Sequence, residues 1–92
     1  MSGGMRLLPW NGPDGQRCHL STNEEGGYLS QLADDMEEVQ LDTGEELLQQ
    51  TAELLNGPAE ASARELRFCV HRLREALRDA LRVAESRGQR LA

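Results

Sequence analysis

The sequence predicts a mainly α protein: an N-terminal β-hairpin, then an antiparallel pair of long helices, with two chains joining as a four-helix bundle. Three observations predict it. The only aromatics are Trp10, Tyr28 and Phe68, so the core must come from Leu, Ala, Val and Met, a composition suited to helix packing. Two stretches, 28–55 and 59–87, carry apolar residues at helical spacing. Ahead of them, a short run of alternating residues is interrupted by concentrated turn chemistry.

A chain of 92 residues makes a single domain, 1–92. At that size folding buries only about 60–65% of the unfolded surface, so a disulfide, a metal or a partner chain usually supplements the core. Two cysteines allow at most one bridge.

Residues 1–6 read as a flexible N-terminus. The hairpin follows at 7–20, with Leu7-Leu8-Pro9-Trp10 and Arg17-Cys18-His19-Leu20 on either side of Asn11-Gly12-Pro13-Asp14-Gly15. Gly and Asn tolerate positive φ and Pro fixes φ near −65°, which suits a turn. Alternation places Leu8 and Trp10 on one face, with Cys18 and Leu20 as partners. Residues 21–27 read as a linker, and Thr22 with Glu25 has capping-box spacing.

The first helix is expected at 28–55. Leu29, Leu32, Met36, Val39, Leu47, Thr51 and Leu54 keep one phase on both sides of Gly44, so the helix should run through that glycine despite its cost of about 1 kcal/mol. Asn56-Gly57-Pro58 ends it. The second helix is expected at 59–87, with Ser62 and Glu65 as a capping box and Gly88 as the stop. Its apolar face is Leu66, Cys69, Val70, Leu73, Leu77, Ala80, Leu81 and Ala84. A short connection between long helices makes them antiparallel neighbours.

No catalytic motif stands out. Cys18-His19 and Cys69-Val70-His71 hold two thiols and two imidazoles, yet neither spacing chelates one ion, because neighbours in a strand oppose and residues two apart on a helix diverge. Cys69 lies in the apolar face, where a thiol is an inert core residue. The reading is non-enzymatic, with no metal and no cofactor. Acid pairs such as Asp34-Asp35 and Glu45-Glu46 read as a solvated face.

Charge is more informative. Residues 1–57 hold eleven acids against two arginines, net −9, and residues 58–92 hold five acids against eight arginines, net +3. Arg64, Arg67, Arg74, Arg78 and Arg82 fall within about 80° of one another on a helical wheel, beside His71. Such a row suits either a nucleic-acid or anion footprint or the polar border of a helix interface. The net charge of −6 and the lack of interleaved aromatics favour the border.

The first helix adds a second apolar row: Leu41, Leu48, Ala52 and Leu55. From Val39 onward the apolar arc exceeds about 200°, more than one neighbouring helix covers. A second copy of the chain is the simplest cover, and the rival cover is the hairpin with Trp10. The expected function is therefore a dimeric protein-interaction module, a small regulator or scaffold that also binds another protein. A nucleic-acid-binding regulator is the alternative, and a binder of a small anionic ligand a weaker one. No stretch is apolar enough to cross a bilayer and the opening residues lack a secretion signal, so the expected compartment is the cytoplasm, with both thiols reduced. All ten cations are arginine, which fits a GC-rich bacterial genome.

Overall fold

The structure, a computed structural model, describes residues 4–21 and 27–91. The expectations for residues 1–3 and for the Thr22–Glu25 cap lie outside the described residues. Four elements follow in order: β1 (Met5–Asn11), β2 (Arg17–Ser21), α1 (Tyr28–Asn56) and α2 (Ala63–Leu91). The chain is mainly helical, an antiparallel two-stranded hairpin followed by two helices, in a body of 56 × 25 × 23 Å.

The hairpin turn closes through Gly12 N–H donating to the Gln16 carbonyl at 2.8 Å and Gly15 N–H to the Gly12 carbonyl at 3.0 Å. Gly15 has φ +81°, a conformation that only glycine adopts freely. Leu7 faces His19 and Asn11 faces Arg17, so four steps along β1 match two along β2. Pro9, which has no N–H to give the ladder, sits inside that irregularity. The bulge breaks the alternation expected from the sequence. Leu7 and Leu8 are both buried, at 0% and 5% exposure, while Trp10 is only half-buried.

The strand also begins earlier than the turn chemistry suggests. Met5 and Arg6, read as flexible tail, belong to β1, and Arg6 is buried. Its side chain is held by α1, a contact with no local signal in the sequence.

α1 is continuous through Gly44, as the unbroken phase implies. The Ser62–Glu65 capping box forms, with Glu65 N–H donating to Ser62 Oγ at 3.1 Å and Ser62 N–H donating to Glu65 Oε1 at 3.0 Å. It sets the start of α2 at Ala63, four residues beyond the expected start at 59. The helix then passes Gly88 instead of stopping there. Beyond that glycine, Arg90 bonds Ser86 and faces Glu37, and these contacts offset the intrinsic cost of a helical glycine.

The rotation of α1 matches the hydrophobic reading at Leu47, Thr51 and Leu54 and differs from it in the first half of the helix. Ser30, Ala33, Glu37 and Leu47 are its buried residues, and Gln40, Gly44, Thr51 and Leu54 are half-buried. These eight positions alternate steps of three and four, the spacing of a seam between packed helices. Leu29, Leu32, Met36 and Val39, expected inside, are exposed. On α2, Ala76 and Ala80 are half-buried, and Val83 and Ser86 are buried. The seam is thus built mostly of small or polar residues, and much of the leucine of both helices is left at its sides.

Candidate interaction surface

A buried polar cluster ties the hairpin to both helices at one end of the molecule. Arg6 Nη1 donates to the Ser30 carbonyl and to Ser30 Oγ, each at 3.1 Å, and Nη2 pairs with Asp34 Oδ1 at 2.6 Å. Glu37, 1% exposed, stands amid three guanidinium groups: Arg6 at 3.4 Å, Arg90 at 3.5 Å and Arg87 at 3.7 Å. Ser86 Oγ donates to the Leu7 carbonyl at 2.9 Å and accepts from Arg90 Nη1 at 2.7 Å. Gln40 Nε2 donates to the Pro9 carbonyl at 2.9 Å. A carboxylate this deeply buried requires compensating cations, and β1 and α2 supply them. Because Glu37 meets Arg87 and Arg90, it lies level with the far end of α2.

That arrangement decides where the hairpin lies. β1 contacts α1 through Ser30, Asp34, Glu37 and Gln40, ahead of the second apolar row. Leu48 and Leu55 remain 66% and 76% exposed, Ala52 is exposed, and Leu41 is half-buried. The hairpin with Trp10 therefore does not cover that row.

Leu41 and Leu48 instead form one wall of an open groove between the helices, with Leu73, Leu77 and Ala80 of α2 as the other. Its volume is about 570 Å³, and Asp42 and Glu45 stand at its α1 side. Leu77 and Leu81 are 60% and 61% exposed beside it. A single chain rarely leaves so much contiguous leucine in water without a partner to cover it.

The arginines divide cleanly. Arg6, Arg17, Arg72, Arg87 and Arg90 each have an acidic partner within 4.0 Å. Arg64, Arg67, Arg74, Arg78 and Arg82 have none among the described residues, and all five lie on α2. They are the row singled out in the sequence. Arg74, Arg78 and Arg82 share a shallow cleft of about 420 Å³ with His71 and Asn11, but Glu75 and Asp79 line it too. Two carboxylates in that cleft weaken it as a site for a small anion.

Elsewhere the electrostatics are local. The Arg17 guanidinium hydrogen-bonds Glu85 at 2.7 Å, which holds the Glu85 carboxyl below its ordinary pKa and raises that of Arg17. The Ser62 backbone N–H, and then its hydroxyl, lower the pKa of Glu65 in the same way. Cys18 and Cys69 are free and half-buried. Among the described residues no group of three or more His, Cys, Asp or Glu is placed to hold a metal ion, and no helix is long and apolar enough to cross a membrane.

Comparison with known families, curated proteins and solved structures returns no match. The residues that sequence reasoning missed are Arg6, Glu37, Ser86 and Arg90. Each looked like an ordinary surface polar residue, and no spacing rule connects positions 6, 37 and 86.

Proposed function

We propose that the chain is a non-enzymatic protein-interaction module that works as a homodimer, pairing two helical hairpins into a four-helix bundle. The observation that carries this reading is the open leucine-lined groove between α1 and α2, which contains Leu41 and Leu48 and which the hairpin leaves uncovered. A dimer seated there buries apolar surface that neither chain covers alone, and it supplies the core that so small a domain lacks. Further helices, of another protein, would dock on the exposed Leu29, Leu32, Met36 and Val39 face.

The unpaired arginine row also suits a nucleic-acid-binding regulator, since free guanidinium groups on one helix face fit a phosphate backbone. The acids of α1, and Glu75 and Asp79 within the row itself, make that the weaker reading.

Light scattering with size exclusion tests the proposal. The wild-type chain is expected at twice its 10.2 kDa mass at micromolar concentration, and Leu48→Glu at one times that mass. A wild type that stays monomeric at every concentration would falsify it. DNA binding that weakens steeply with salt would favour the alternative.

A further inference from the structure

Resting on the homodimer reading above, we infer how the two copies sit: α1 of each protomer lies on α2 of the other, about a two-fold axis that runs parallel to the helices. The groove has an acidic α1 edge in Asp42 and Glu45, while Arg74 and Arg78 line the neighbouring cleft on α2, and the placement of both pairs relative to the groove leucines follows from the sequence. On α1, Glu45 stands three residues before Leu48 and Asp42 one residue after Leu41. On α2, Arg74 stands three before Leu77 and Arg78 one after it. On a wheel each of these charged residues lies about 60–100° beyond its leucine, in the same rotational sense on both helices. Because the helices are antiparallel, the same sense carries the two pairs away from each other, to opposite outer margins of one face. The groove face is therefore acid, leucine, leucine, arginine from one side to the other.

None of these four charges has an ion-pair partner among the described residues. A face of this kind can meet its copy in two symmetric ways. An axis across the helices sets α1 on α1 and α2 on α2, so acid meets acid and arginine meets arginine. An axis along the helices exchanges the margins, and each arginine margin meets an acidic one. It also preserves height. Since Leu41 and Leu48 line the groove with Leu73 and Leu77, the partner's Arg74 and Arg78 arrive level with Asp42 and Glu45. Opposite charges at both margins select the second seating and penalise the first, which is how rim charges fix orientation.

The test is a set of charge variants of the full chain, with the dimer dissociation constant measured by analytical ultracentrifugation at low salt. Circular dichroism checks that helicity is retained. The double variants Arg74→Glu/Arg78→Glu and Asp42→Arg/Glu45→Arg are each expected to weaken self-association about tenfold or more. Placing all four substitutions in one chain restores the pairing and returns affinity to within about threefold of wild type, and high salt flattens the whole series. The milder Arg74→Gln/Arg78→Gln variant keeps the test informative if a reversal disturbs folding. It weakens the inferred dimer, whereas in the crossed seating it relieves a repulsion and tightens it. Dimers that are unchanged by the reversals and tightened by the glutamines overturn the seating and leave the homodimer standing. A wild type without self-association overturns the homodimer itself.

Discussion

Replacing Glu37 with glutamine keeps the side-chain volume and removes the charge from the centre of the buried cluster. The three guanidinium groups lie 3.4, 3.5 and 3.7 Å from the carboxylate, longer than charge-assisted hydrogen bonds, so what is lost is chiefly Coulombic. Removing one partner of a buried ionic group costs about 3–5 kcal/mol because the other charge is left uncompensated. Here the low end applies. Arg6 keeps Asp34 at 2.6 Å, and Arg87, half exposed, turns to water. A loss of about 3 kcal/mol is a large part of the roughly 5–14 kcal/mol expected for a domain of this size. It corresponds to a fall in melting temperature of about 12–24 °C. The assay is thermal and urea denaturation followed by far-UV circular dichroism, at one fixed chain concentration because any self-association would stabilise by mass action. Glu38→Gln, exposed and without an ion pair among the described residues, is the control and should shift stability by less than about 0.5 kcal/mol. The deficit of Glu37→Gln should persist in high salt, since buried pairs are poorly screened. A fall of less than about 4 °C would refute the claim that this carboxylate anchors the hairpin.

Other outcomes follow from single positions. Ser86→Ala removes the donor to the Leu7 carbonyl and the acceptor for Arg90, and should lower unfolding free energy by about 1–3 kcal/mol in urea titration. Gly44→Ala should raise it by about 0.5–1 kcal/mol, because a methyl there meets nothing within 4 Å and the glycine lies inside a helix. Gly15→Ala should do the reverse, since its φ of +81° is strained for any residue with a β-carbon. Glu65 and Glu85 both have folded pKa values held below the ordinary carboxylate value, so their contribution is complete at neutral pH and fades as pH falls through the lowered values. The stability gap between wild type and Glu85→Gln should therefore be largest near pH 7 and shrink as pH falls below the ordinary carboxylate range.

How much of this was legible in the residues depends on which physical signal each feature carries. Turn chemistry located the hairpin, a constant apolar phase carried α1 through Gly44, and the Ser62–Glu65 box marked the start of α2 to within a few residues. The inward face of α1 was legible in its second half, where Leu47, Thr51 and Leu54 of the expected stripe do lie in the seam, but not in its first half. Periodicity assigns the inside to the most apolar stripe, Leu29-Leu32-Met36-Val39, yet the helix turns Ser30, Ala33 and Glu37 inward because Arg6 and the arginines near the end of α2 need an acid between them. A buried ion cluster assembled from positions 6, 34, 37, 87 and 90 leaves no local pattern. For the interaction surface, the leucine row and the arginine row were both visible in the sequence. That the hairpin leaves the first uncovered, and that α1 gives the second no acid, are facts of three-dimensional placement.

The hydrogen bond from Ser86 to the Leu7 carbonyl joins residues 79 positions apart, and Arg6 meets Glu37 at the level of Arg90. During synthesis this has a temporal meaning. β1 is made early, but the surface that buries Leu7 does not exist until the last turns of α2 have emerged. The hairpin alone is too small to hold its shape in water. Until residue 90 is out, the growing chain is an unsealed strand pair and a helix with exposed leucines, the kind of species that associates with its neighbours. On a polysome, where copies are made side by side, that interval is when the exposed leucines of α1 in neighbouring nascent chains are closest together and least covered.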